Sequence, residues 1–160
     1  MVNRAALAST GGFLLVGTAI YVFSLGPNEA SGVLRPDDVQ VVSAGAEIYE
    51  NVCAACHGVK LEGQPDWRMP GADGLLPAPP HDATGHTWHH DDTALITLTK
   101  YGLAGFMENP PPSGMPAYDG LLSDGEIVAV LSYIKSTWPD DIQARHDELN
   151  TKSNTDQMDK

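Results

Sequence analysis

Both cysteines of the 160-residue chain stand in one short stretch, ENVCAACHGV (50–59), three positions apart, with His57 directly behind the second. A C-x-x-C pair supports four chemistries, and each makes its own demand on the rest of the chain. Zinc takes about four nitrogen or sulfur ligands, and with no further cysteine it would have to recruit loop histidines. A thioredoxin-like dithiol sits where a strand enters a helix, whereas the residues before Cys53 read as helix. A disulfide across two residues closes a very small ring and contributes little. Attachment of haem c uses all three residues, with thioethers to Cys53 and Cys56 and His57 carried beneath the iron as proximal ligand.

The remaining sequence divides into one domain and its appendages. After residues 1–4, Ala5 to Leu25 form an uncharged run of 21 residues. As a helix the run is about 31 Å long, which matches a bilayer core of roughly 30 Å. Arg4 precedes it and Glu29 follows it. The positive-inside tendency therefore places the amino terminus in the cytoplasm and the bulk of the chain on the opposite side of the membrane. A cleaved signal peptide is the alternative, although Ser24-Leu25-Gly26 is followed by Pro27, a poor cleavage position. Both readings deliver the domain to the compartment where haem c is attached. Residues 26–42 carry Pro, Gly and Asp with little apolar periodicity and read as a flexible linker.

From Ser43, a candidate N-cap, Ala44, Ile48 and Val52 recur four apart and predict a helix that delivers Cys53 at its end. Residues 58–90 lack periodicity and form too long a connection unless they wrap around something, and a haem supplies the missing core. Asp91 caps a second helix that stops at Gly102. Leu103 to Leu122 reads as a second loop. Ser123-Asp124-Gly125-Glu126 is a capping box, and Ile127, Val130, Leu131 and Ile134 follow at helical spacing before Pro139. Three helices and two long loops make residues 43–138 an all-α haem domain. The polar tail, 139–160, is read as starting helical at Asp140 and fraying into disorder.

The iron needs a sixth ligand, and methionine sulfur favours its ferrous state. Met1 and Met158 are terminal, which leaves Met69, Met107 and Met115. Met115 is best placed, because Gly114 permits an unusual backbone angle before it and Pro116 restricts the angle after it. Met69 is the main rival.

These residues are similar to those of class I c-type cytochromes, of the monohaem, membrane-anchored bacterial type. The likeness rests on G-x-x-x-Y-x-x-x-C-A-A-C-H-G (Gly45 to Gly58), G-M-P-A-Y (Gly114 to Tyr118) and L-S-D-G-E-I-V-A-V-L-S-Y-I-K (Leu122 to Lys135). It implies a cytochrome c fold whose first and last helices cross, Gly45 and Tyr49 meeting Val130 and Tyr133. It also implies a proline carbonyl that accepts the ring N–H of the proximal histidine, for which Pro79 of Ala78-Pro79-Pro80 fits. The next position, usually apolar in the family, is His81, so the middle loop PPHDATGHTWHH departs from the pattern. His81, His86, His89 and His90 are read as loop hydrogen bonders, with a second metal such as copper as the alternative. Trp67 or Trp88 could donate an indole N–H to a haem propionate, Trp88 being the favoured choice, while Trp138 is read as packing.

The expected function is one-electron transfer, since a haem with both axial positions filled by protein has no place for a substrate. By resemblance, the partners are a quinol:cytochrome c reductase or a dehydrogenase on one side and a terminal oxidase on the other. The alternatives are a fixed cytochrome c subunit of a larger complex and, in another class, a peroxidase or gas sensor with an open iron site. The net charge of −12 excludes a nucleic-acid surface and suits a basic docking partner.

Overall fold

The computed structural model describes residues 34–158, with six α-helices joined by long irregular segments. The helices are α1 (Val39–Ile48), α2 (Ala54–His57), α3 (Asp92–Tyr101), α4 (Leu103–Phe106), α5 (Asp124–Ser136) and α6 (Asp140–Met158). Among the described residues the only extended pairing is two isolated bridges, Leu76 with Ser113 and Asp119 with Leu122. The uncharged run 5–25 lies outside the described residues, and no described helix is long and apolar enough to cross a membrane.

Helix α1 starts five residues earlier than the Ser43 cap implies. The Asp38 side chain accepts from the backbone N–H groups of Gln40 and Val41, and Ser43 lies exposed inside the helix. Asp38 is the stronger terminus because its carboxylate satisfies two donors that a helix start leaves open. Asp91 caps α3 through the N–H of Ala94, and Gly102 ends it at φ 68°. Ser123 and Glu126 form the reciprocal capping box of α5.

The packing of α1 on α5 organises the molecule. A Cβ on Gly45 would lie 2.0 Å from the carbonyl oxygen of Ala129 and 2.9 Å from Cβ of Tyr133. Backbone therefore meets backbone here, and one partner is Ala129 where the family resemblance implies Val130. Beside this contact the Tyr49 and Tyr133 rings lie 5.5 Å apart. Val130, Leu131 and Ile134 turn the other way, into a core shared with Leu95, Leu61 and Trp138.

Two segments expected to be loose are built into the fold. The presumed linker ends against the domain: Leu34 is buried, its N–H donates to Asp92 Oδ2 at 2.8 Å, and the N–H of Arg35 donates to Ser132 Oγ at 2.9 Å. The polar tail is a 19-residue helix, α6. Its fully buried His146 donates from Nε2 to the carbonyl of His90 (2.9 Å) and accepts at Nδ1 from Asn150 (3.3 Å). Asn150 also bonds Asp92 in both directions, and Lys135 of α5 pairs with Asp147 of α6. The tail docks by satisfied polar contacts, which leave little hydrophobic periodicity in the sequence.

Replacing Gly45 with Val would drive a branched side chain into the Ala129 carbonyl, so denaturant unfolding should show a loss of at least about 3 kcal/mol. His146 offers a second test. Burial, with Lys135 adding repulsion, holds its pKa below the ordinary histidine value. The unfolded chain therefore binds that proton more readily, so this contribution to stability is complete above pH about 6.5 and is lost as pH falls below it. Denaturant unfolding from about pH 7.5 to 5 should show a shallower acid decline in His146→Gln than in the parent chain. At pH 7 the variant should be weaker by about 1–3 kcal/mol.

Candidate functional site

The chain widens by one residue at the end of α1. Between Tyr49 and Cys53 the backbone bonds run to the fifth residue back, and the N–H of Ala54 reaches the carbonyl of Tyr49. Such widened turns cluster at functional sites because they re-aim the side chains that follow. The short α2 then presents Cys56 and His57 and ends at Gly58, whose φ of 82° turns the chain away. Tyr49 locks this corner by donating its hydroxyl to the Gly58 carbonyl at 2.9 Å.

Both thiols are free, Cys53 half-buried and Cys56 exposed. Burial, reinforced by the neighbouring Cys56, pushes the Cys53 thiol up to about 11. A thiol so protonated is the reverse of an activated redox dithiol, which lowers its pKa to attack. His57 is buried, and its Nδ1 lies 2.8 Å from the carbonyl oxygen of Pro79. A carbonyl only accepts, so Nδ1 carries the proton and Nε2 keeps its lone pair. Burial also lowers the pKa of His57, against the opposing Pro79 bond, and the imidazole is neutral at neutral pH.

Gly63 lets the Pro79 carbonyl come this close. Its N–H donates to the His57 carbonyl at 2.7 Å, its φ is 67°, and a Cβ there would lie 2.4 Å from the nitrogen of Pro80. His81 is the unexpected neighbour. Its ring stacks on His57 at 4.0 Å, and its Nδ1 pairs with Thr87 Oγ1 at 2.8 Å. The Trp138 indole donates to the His81 carbonyl at 2.8 Å. Trp138 is thus both a packing residue, as expected, and a brace for the His81 backbone, a role that the sequence shows no sign of.

These groups face a cavity of about 700 Å³, within the usual size range for cofactor sites. Cys53, Cys56 and His57 line it, and so does Met115 from the distant loop. Its apolar walls come from α3, α4 and α5, notably Leu95, Leu98, Leu103 and Ile134. Met115 is half-buried, with its N–H donated to Ser113 Oγ at 3.1 Å and Ser113 bridged to Leu76. Met69 and Met107 do not line the cavity, and Met69 is 66% exposed. Gly114 shows none of the expected backbone strain. Its φ is not positive, and a Cβ would meet only Leu75, at 3.8 Å. The hydroxyl contact of Ser113 and the bridge to Leu76 position the methionine instead.

The histidine-rich loop splits. His86 and His90 line the cavity with Thr87 between them, whereas His89 stacks on Trp88 at 3.7 Å. Among the described residues no three His, Cys, Asp or Glu side chains come together as a metal site. Trp88 does not line the cavity, and its indole points to the Ala83 carbonyl at 3.4 Å, so the expectation that it reaches the cofactor is corrected. Packing against the core and the stack with His89 direct its ring elsewhere. Helix α4, absent from the sequence reading, supplies Leu103, because four residues are too few to show a helical period.

Two unpaired thiols a turn apart, a neutral imidazole with a free lone pair and an apolar cavity fit a covalently attached haem. The comparisons with known proteins agree. Residues 42–138 match the model of the family described as cytochrome c. Over 135 residues the chain is 31% identical to the gluconate 2-dehydrogenase cytochrome c subunit of Pantoea cypripedii, covering 78% of this chain. The chain spans only 29% of the length of that relative. No solved structure matches significantly. With the family model covering most of the chain, this protein belongs to the cytochrome c family, whose domain implies a covalently bound haem c.

Proposed function

We propose that Cys53 and Cys56 carry the thioether bonds, that His57 Nε2 and the Met115 sulfur are the axial ligands, and that the chain is a one-electron carrier. The single observation behind this reading is that a neutral imidazole and one methionine line the same apolar cavity. Bound there, haem c supplies a one-electron Fe(III)/Fe(II) couple. The chain does the rest. The Pro79 carbonyl orients His57 and raises its basicity, the soft Met115 thioether favours the reduced state, and the leucine walls exclude water. With both axial positions filled, a peroxidase or gas-sensor chemistry has no site to work at.

The carrier works on the periplasmic side of a bacterial inner membrane, tethered by residues 5–25. It links a quinol-oxidising complex or a dehydrogenase to a terminal oxidase. The uncharged run and the charge pattern around it support the tether. A second reading, a fixed subunit of a dehydrogenase, is favoured by the 31% identity to a protein described as a dehydrogenase subunit.

Met115→Ala should abolish the sulfur-to-iron absorption band of the haem-loaded protein, lower its reduction potential and open the iron to cyanide. A band that survives would transfer the ligand role to Met69 or Met107. Shuttle and subunit separate by salt. With a net charge of −12, a diffusing carrier should be reduced by its membrane partner about tenfold more slowly at about 150 mM than at about 10 mM ionic strength. Co-purification with a dehydrogenase at constant ratio through high salt would establish the fixed subunit instead.

A further inference from the structure

The cavity must accommodate two carboxylates, since haem carries a pair of propionates, and a carboxylate taken from water without a partner is costly. No lysine or arginine lines this cavity among the described residues, and its one lining carboxylate, Asp73, can only repel. The lining groups able to offer a positive charge are imidazoles. His57 is committed to Pro79, and His81 is stacked on His57 and bonded to Thr87. His86 and His90 are different. Both line the cavity, and among the described residues neither ring nitrogen makes a hydrogen bond to protein.

Both rings are held in place. Trp67 stacks on His86 at 5.1 Å and 7°, with the guanidinium of the adjacent Arg68 3.9 Å from the Trp67 ring centre. His90 meets His86 edge-on at 5.6 Å and Phe106 at 6.0 Å, and its carbonyl accepts from the buried His146. Thr87 is buried between them. Two oriented donors with free ring edges on one cavity wall make a preorganised receptor for a pair of carboxylates.

We propose that His86 and His90 bind the two propionates of the haem and exchange protons with solvent as the iron changes charge. The inference rests on haem c occupying this cavity. Burial and neighbouring imidazoles hold both rings below the ordinary histidine value, with Arg68 and His89 adding repulsion at His86, and His89 adding repulsion and Asp91 attraction at His90. A carboxylate against either ring opposes that shift and returns the titration toward neutrality. When one electron enters, the added negative charge favours the imidazolium, and up to one proton passes from solvent to a ring nitrogen. The reduction potential therefore falls as pH rises between about 5 and 8.

The test is spectroelectrochemical titration of the haem-loaded protein across that pH range, the electrode supplying the electron. The parent chain should show a potential that declines with pH. His86→Gln/His90→Gln keeps a donor at each position but cannot titrate, and its slope should drop to less than about half with the sulfur-to-iron band intact. His89→Gln, outside the cavity, should keep the decline, moved to higher pH because its repulsion on both rings is gone. If the double variant does not load haem, the single variants decide, each reducing the slope in part. A loaded double variant with the parental slope overturns the proposal alone, as does a parent chain whose potential ignores pH. A parent chain without covalent haem in attachment-competent cells overturns the haem assignment with it.

Discussion

The fold depends on the close approach of α1 and α5. With Gly45 against the Ala129 carbonyl, the two helices touch through their backbones, and Val130, Leu131 and Ile134 are left to face inward. This contact aims the end of α1, and with it the widened turn that carries Cys53, at the space that α5 walls from behind. A side chain at residue 45 would separate the helices and displace both the Cys53–His57 turn and the apolar wall. The site is therefore a consequence of one helix crossing, to which the loops are fitted.

Around that crossing the chain holds its polar groups by specific pairings. The Pro79 carbonyl fixes the tautomer of His57, the Trp138 indole and Thr87 brace His81, and Asp92 ties the entering segment at Leu34 to α6 through Asn150. Each buried donor or acceptor in this set finds a partner, and among the described residues none of the buried side-chain nitrogens or oxygens lacks one. Satisfied polar contacts of this kind define a unique arrangement where hydrophobic packing alone tolerates several. They explain how a helix as polar as α6 can remain docked beside the histidine loop, whose position at His90 it helps to fix.

Much of the domain was legible because its signals are local. The helix caps at Asp91 and Ser123, the stop at Gly102 and the C-x-x-C-H motif each depend on a few adjacent residues. The start of α1 was misplaced because a serine and an aspartate both satisfy the capping rule and only the neighbouring chain distinguishes them. Trp88 was misdirected for a related reason: its residue type can donate to a propionate, but its direction is set by Ala83, His89 and the core. The tail was read as starting helical at Asp140 and then fraying because it is polar, and polarity hides the length of a helix whose contacts are hydrogen bonds to residues far back in the chain.

The amino-acid sequence by itself determined the C-x-x-C-H constellation at the end of a helix and the two helices capped at Asp91 and Ser123, since these follow from neighbouring residues and the geometry of a single turn. The tertiary structure decided which methionine shares a cavity with His57, which histidines of the loop line it, and where both ends of the domain dock. Those outcomes depend on pairings such as Leu34 with Asp92 and His146 with His90, which are 58 and 56 positions apart. Contacts at that separation are set by the packing of whole helices, which no local pattern encodes.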